Sequence, residues 1–498
     1  MNAPTPTAAG TPLPSGFVLA LDADTKQLDE TTLFGGSPSR VLRLSPAGRT
    51  AWSELRAGAV ASPQAGTLAR RLVDAGLAHP RPPAGAAPVE VTVIIPVRDR
   101  AELLARCLRA LGHRHPVLVV DDGSRDPQAV AEVAAAHDAT VLPRADNGGP
   151  AAARNCGLSL VSTDVVAFLD SDCVPPPDWI ERLSGHFADP LVAAVAPRIV
   201  ALPSATSAGR YGAARGSLDL GDRAARVVPC TRVAYVPTAA LLVRRAALLQ
   251  VAQDGRVFDP ALRYGEDVDL IWRLHEAGWR IRYDPAVQVG HSEPQTWRGL
   301  LSRRFRYGTS AAALAAGHPG AIAPLVLQPW PALTVAALLT RRPVVACGTF
   351  AVAALTMARS LRSAGLPARG VLRAVLTAVY QTWLGAGRYG TQFAAPALVL
   401  ALLAPGSARH RRTWPRRVAV SSLLLGAPLI TWATRRPGLD PVRFTLAHLA
   451  DDIAYGAGVH TGCARARTRT PLTARIVWRP MRAVRADPTA APGTKGPS

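Results

Sequence analysis

The sequence predicts an α/β protein centred on a doubly wound parallel sheet, with a small α+β unit before it and a hydrophobic helical region after it. Three observations predict this. From residue 89 onward, continuous β-branched runs alternate with stretches of helical spacing (VEVTVIIPV, RAELLARCLRAL, PVLVVDD, PQAVAEVAAAH), which is the pattern of β-α-β units with strands buried on both faces. The strand ends of that alternation, IIPVRDR, VVDDGS, LPRADNGG and FLDSD, carry polar or acidic residues, and such sheets bind ligands beyond the carboxyl ends of their strands. Past residue 320, uncharged runs reach 20 residues.

The elements follow in order. The opening MNAPTPTAAGTPLP is small and Pro-rich, with no positive segment leading into an apolar core, so residues 1–14 read as a disordered tail and not as a secretion signal. Residues 15–80 hold short alternating stretches (FVLALD, SRVLRLS) and then helical ones (AGRTAWSEL, GTLARRLVDAGL), a small α+β unit. Residues 81–88 are a Pro/Gly/Ala linker. The α/β domain is expected over 89–310, a hydrophobic helical region over 311–470, and a basic, Pro-containing tail over 471–498.

The net charge of +22 resembles a nucleic-acid signal, but its distribution argues otherwise. Residues 295–498 hold 27 cationic side chains against four Asp, which leaves the first 294 residues nearly neutral. All but two of the cations in the whole chain are Arg, a compositional habit, and no nucleic-acid partner is expected. The six cysteines are scattered with no CxxC pair, which points to a reducing cytosol and no structural zinc.

In FLDSD, Asp170 and Asp172 end a buried run one residue apart. Two like charges so placed repel unless a cation stands between them. A hard divalent ion, Mg²⁺ or Mn²⁺, fits oxygen ligands of this kind and leaves positions for phosphate oxygens.

IIPVRDR, VVDDGSRD, NGGPAAARNCGL, FLDSD and GEDVDLIWRLHEAGWRI, in this order, resemble the nucleotide-sugar glycosyltransferases of family 2, with the GT-A fold, over residues 89–307. The resemblance implies a role for each motif. Asp170 would reach toward the donor ribose and Asp172 would ligate the metal, with His291 of VQVGHSE as a further ligand to metal or diphosphate. Asp122 would accept from the uracil imide, and Pro96 to Arg98 would line the base pocket. Asn147, Gly148 and Gly149 would let the backbone approach the nucleotide, and Arg154 would contact it. Asp267 would be the general base that activates the acceptor hydroxyl, with Glu266 orienting the loop or binding acceptor. An in-line attack of this kind inverts the anomeric centre.

Two further regions bear on the acceptor. Residues 15–80 resemble the winged-helix peptide-binding domains of the PqqD type, and the whole arrangement resembles the glycosyltransferases of mycofactocin systems. That resemblance implies transfer of glucose from UDP-glucose to a peptide-derived cofactor or its precursor. In the helical region, 321–340 and 389–408 are uncharged for 20 residues each, while 343–358 and 418–434 reach 16 and 17. A bilayer core takes ~20 apolar residues per helix, so the first two are long enough and the second two marginal. Arginine pairs at 341–342, 411–412 and 416–417 favour the cytoplasmic side, which predicts a membrane-associated region with the catalytic domain in the cytoplasm. Two alternatives stand beside this reading: a membrane transferase making a polysaccharide or glycolipid, and a non-catalytic module that binds a modified peptide.

Overall fold

The computed structural model describes residues 10–85, 87–363, 368–404 and 413–478. Residues 1–9 of the expected tail, Ala86 of the linker and residues 479–498 therefore lie outside the described residues, as does the pair Arg411-Arg412. Leu13 and Phe17 are already core side chains, packed with Leu33, Trp52, Leu55, Leu68 and Leu72. Strand β1 (Val18–Leu21) pairs antiparallel with β5 (Ala78–Arg81), and β2 (Lys26–Asp29), β3 (Thr32–Gly35) and β4 (Arg40–Arg43) form an antiparallel meander. Helices α1 (Pro46–Ala57) and α2 (Pro63–Asp74) each start at a Ser-Pro step. Ser45 and Ser62 accept from the Gly48 and Ala65 amides at 3.1 Å, and proline occupies the position where no donor is needed.

The alternation after residue 89 becomes β6 (Val91–Val97), α3 (Ala101–Leu111), β7 (Val117–Asp121), α4 (Pro127–Ala135), β8 (Thr140–Pro143), α5 (Pro150–Ser159) and β9 (Val165–Leu169). There follow β10 (Cys173–Val174), α6 (Trp179–Ser184) and β11 (Val192–Ala201). The chain then leaves this unit for α7 (Ser207–Ala214) and returns for β12 (Ala225–Arg226), β13 (Ala240–Arg244), α8 (Arg245–Gln250), α9 (Glu266–Glu276) and β14 (Arg280–His291). The sheet order is β10-β14-β11-β13-β9-β6-β7-β8, with β12 beside β14.

The sheet is mixed, which corrects the expectation of a parallel one. Strands β6, β7, β8 and β9 are parallel, as are β11 and β14, but β13 lies antiparallel between β9 and β11, and β10 and β12 pair antiparallel with β14. The run ALLV of β13 is buried on both faces. A run buried on both faces has the same apolar pattern in either direction, so periodicity does not report its sense.

The α+β unit and the sheet belong to one compact unit, residues 10–201 with Ser217–Ser292. Ion pairs join them, that between Arg70 and Asp189 buried. Arg70 of α2 meets both oxygens of Asp189 at 2.8 and 2.7 Å, with side chains 4% and 1% exposed. Asp74 takes Arg280 of β14 at 2.8 Å. Asp22 takes His79, Arg223 and Arg232 at 2.9, 3.2 and 3.3 Å. Burial alone would raise the Asp74 carboxyl, but its bond and charge pairing with Arg280 hold it below the ordinary value. Beside them Arg282, with Nε and Nη2 buried and without a hydrogen-bond partner, is pushed down to about 10 by burial.

A second unit comprises Leu202–Gly216 and residues 293–478. It holds α7, α10 (Trp297–Thr309), α11 (Ala311–Gly317), α12 (Pro329–Leu339), α13 (Pro343–Ser363), α14 (Val371–Phe393), α15 (Ala395–Leu403), α16 (Thr413–Arg435) and α17 (Pro441–Arg465). Helix α17 lies against α10 through Gly458 and Gly462, and against α14 through Gly456. A Cβ on Gly458 would overlap the Phe305 carbonyl. Asp451 and Asp452 of α17 are buried, and Tyr211, Arg304, Thr391 and Gln392 bond them from α7, α10 and α14.

Uncharged run length picked the wrong pair of long helices here. Residues 321–340 fold as a loop, the two-residue β15 (Val326–Leu327) paired with β16 (Arg475–Ile476), and the 11-residue α12. Residues 389–403 are split at Ala394, where Pro396 starts a new helix. The runs at 343 and 418 instead extend through flanking arginines into Pro343–Ser363 and Trp414–Arg435, the two helices among the described residues long and apolar enough to cross a membrane. Prolines cut the longer runs, whereas a flanking arginine does not end a helix.

Candidate active site

The carboxyl ends of the parallel strands β6, β7, β8 and β9, where Asp99, Asp122, Asp146 and Asp170 follow, open on one edge of the large sheet. Strand β9 is apolar throughout, and Asp170 follows it with its amide donating to Ala239 O at 2.9 Å. The Asp170 carbonyl accepts from the Cys173 amide at 3.0 Å, so the chain turns within DSDC and sends the two carboxylates to different partners. Asp170 Oδ1 accepts from Arg154 Nη2 at 2.7 Å. Asp172 Oδ2 accepts from Arg100 Nη1 at 2.7 Å, and its Oδ1 lies 3.6 Å from His291 Nε2. The register of β10 on β14, Cys173 opposite His291, sets this last approach.

The three residues expected to hold a metal are therefore assembled only in part. Asp172 and His291 face each other, while Asp170 is tied to Arg154. Among the described residues no three His, Cys, Asp or Glu side chains are gathered as a ready cage. A carboxylate and an imidazole at this separation suit a hard or borderline divalent ion that takes its remaining ligands from phosphate oxygens and water.

At the end of β7, Asp122 is buried under the loop of residues 144–149. Its Oδ1 accepts from Gly148 N at 3.0 Å and pairs with Arg144, and its Oδ2 accepts from Gly149 N at 2.7 Å. A carboxylate offers about four acceptor directions, so one remains open for a ligand donor. Asn147 Oδ1 also accepts from Gly149 N, at 3.1 Å, and Gly149 starts α5 at φ +85°, a conformation open to glycine. Pro96 is half-buried on β6, and Arg98 is exposed, 3.9 Å from Asp99.

Helix α9 begins after Gly265, which takes φ +81°. Glu266 is buried and accepts from Arg154 Nη1 at 2.8 Å. Burial raises the Glu266 carboxyl in spite of that arginine. Asp267 Oδ1 accepts from the Val268 amide at 2.8 Å, and burial, with the Glu266 charge beside it, pushes its pKa up to about 7. A carboxylate so poised takes up a proton near neutral pH, as a general base requires. Arg154 thus joins Glu266 to Asp170 on one guanidinium.

Sequence reading passed over four residues that shape this edge. Arg100 and Arg144 are the partners of Asp172 and Asp122, and Asn155 and Arg273 anchor the loop before α9. Only Arg273 carried a local signal, its i,i+4 spacing from Asp269, which it meets at 2.8 Å.

Residues 92–249 match the family described as Glycosyl transferase family 2. A pre-mycofactocin glycosyltransferase of Mycobacterium tuberculosis is 40% identical over 482 residues, covering 94% of this chain and 99% of the relative. Glycosyltransferase AglE of Haloferax volcanii is 30% identical over 231 residues, 44% of this chain and 71% of that one. Among solved structures, a mannosyltransferase from Pyrobaculum calidifontis in complex with GDP-Man and Mn²⁺ is 21% identical, covers 69% of this chain and 90% of its own, and superposes with a TM-score of 0.37.

Proposed function

The chain belongs to the family of the pre-mycofactocin glycosyltransferases, and on that premise we propose that it moves glucose from UDP-glucose onto a peptide-derived mycofactocin precursor with inversion at the anomeric carbon. The observation that carries the mechanism is Asp267, raised to about 7 next to a Glu266 that Arg154 ties to Asp170. Asp267 takes the proton of the acceptor hydroxyl, and Glu266 orients its turn. Asp172 and His291 would hold Mg²⁺ or Mn²⁺, which when bound stabilises charge on the departing diphosphate. Asp170 faces the ribose. Asp122 offers its open acceptor direction to the base, in a pocket walled by Pro96 to Arg98, while Asn147, Gly148 and Gly149 leave room for the nucleotide.

Residues 15–80 are read as the peptide-holding domain, of winged-helix type. Two helices and a three-stranded meander support this. Association with the cytoplasmic face of a membrane is supported by α13 and Trp414–Arg435 and by the absence of any Asp or Glu from 294 to 439, a stretch rich in arginine.

The test incubates the full chain with UDP-glucose, Mn²⁺ and peptide-derived or lipid acceptors, and reads the product by mass spectrometry and proton NMR. A β-linked glucoside on the peptide-derived acceptor is expected. An α-linked product would overturn the inverting mechanism, and transfer to lipid alone would move the assignment to a glycolipid transferase.

A further inference from the structure

The candidate base stands at the end of the long loop between α8 and α9, residues 251–265. The loop has little order of its own, with one isolated bridge between Gln253 and Arg256. What fixes it comes from α5. Asn155 Oδ1 accepts from the amides of Val257 and Phe258 at 3.2 and 2.9 Å, and its Nδ2 donates to the Phe258 carbonyl at 2.7 Å. One side chain thus satisfies three backbone groups that no strand pairs. Phe258 is fully buried, edge-on to Phe168 at 5.3 Å and 5.7 Å beneath the Arg154 guanidinium. From the other side, Arg273 of α9 donates to the carbonyls of Val251 and Val257 at 2.6 Å each, held in place by Asp269.

Arg154 completes the arrangement. Its side chain is 3% exposed, Nη1 donates to Glu266 and Nη2 to Asp170, so both terminal nitrogens already serve carboxylates. This differs from the nucleotide contact expected of it. We propose that Arg154 and Asn155 act together as positioning residues. Asn155 pins the backbone at 257–258, and Arg154 spans Glu266 and Asp170, so that the donor-side carboxylate and the base-bearing turn are held as one piece. The inference rests on the reading of Asp267 as the base.

An error of ~1 Å in the placement of a reacting group costs about 10²-fold in rate, and this sets the scale of the test. Asn155→Ala is compared with the parent chain for kcat, for KM of UDP-glucose, for UDP affinity by calorimetry with Mn²⁺ present, and for hydrogen exchange over residues 251–267. The expected result is a kcat lower by about 10²-fold, a KM within about twofold, unchanged UDP affinity, and faster exchange at Val257 and Phe258. Asn155→Asp keeps the acceptor for both amides, but loses the donor and sets a charged oxygen against the Phe258 carbonyl. Its kcat should fall between the two, and it serves as the probe if the alanine variant does not fold. Arg154→Lys keeps the cation but not the two-pronged span, and should lower kcat.

Unchanged kcat in these variants overturns the proposal. A tenfold or greater loss of UDP affinity in Asn155→Ala also overturns it, because the loop that Asn155 pins is then part of the nucleotide site. Asp267→Asn, assayed alongside, separates the two levels. If it turns over normally, the base assignment fails and the positioning role with it. If it is inactive while Asn155→Ala turns over like the parent, the positioning role alone fails.

Discussion

At Asp267, function and stability pull in opposite directions. Burial and the neighbouring Glu266 hold its folded-state pKa at about 7, above the value of about 4 for an unfolded aspartate. As pH rises the unfolded chain ionises first, so stability is fully present below about pH 4 and is lost progressively up to about pH 7. Asp267→Asn should therefore melt higher than the parent at pH 8 and show no such advantage at pH 4, as calorimetry at both pH values would reveal. The same substitution should lower turnover by about 10²–10⁴-fold and remove the acid limb of the rate profile, since the parent becomes active only as Asp267 deprotonates. An unaltered profile would exclude it as the base. Asp172→Ala removes the carboxylate that faces His291, and it should weaken UDP binding in the presence of Mn²⁺ and abolish transfer. Retained Mn²⁺-dependent affinity would place the cation elsewhere.

At the scale of elements, the join between α2 and the sheet decides how the N-terminal domain behaves. Arg70 and Asp189 are both buried and bonded through two contacts. Removing one partner of a buried pair costs up to about 3–5 kcal/mol, here lessened for Asp189 by the Leu191 amide and the Arg282 charge. Arg70→Met should accordingly lower the melting temperature, and Arg70→Met with Asp189→Leu should recover part of the loss, since the Asp189 charge also supports the buried Arg282. If the double variant melts no higher than the single, the pair is not what fastens α2. In the helical unit, run length misled because Pro329, Pro331 and Pro396 start short helices, while Pro343–Ser363 runs on through Arg359 and Arg362.

For the whole molecule, these joins change what a truncation means. A domain carried on a linker could be removed without touching the site. Here, deleting residues 1–84 would leave Asp189 and Arg280 without their partners and would uncover Arg282, already short of hydrogen bonds. The truncated chain should lose cooperative unfolding or precipitate, as judged by calorimetry and size-exclusion chromatography. A stable truncated chain that still binds UDP would restore the picture of an independent module. A milder test of acceptor binding keeps the domain and alters its exposed residues.

How much of this was legible in the sequence varied with the range of the interaction involved. The alternation of buried strands with helices, the acids at strand ends and the Gly265-Glu266-Asp267 helix start are local patterns, and local periodicity and turn chemistry determined them. The sequence alone also carried the family resemblance, through motifs in a fixed order. Only the tertiary structure decided the sense of β13, because a run buried on both faces has no direction in its pattern. It also decided that Asp170 meets Arg154 and not the Asp172–His291 pair, that Asp122 is mostly occupied by Gly148, Gly149 and Arg144, and that Asn155 holds Phe258 across 103 positions of sequence. Those are partnerships between distant residues. A hydrogen-bonding or charged side chain has the same local signature whether its partner is water or a buried group far along the chain, so the choice is made only when the fold brings the two together.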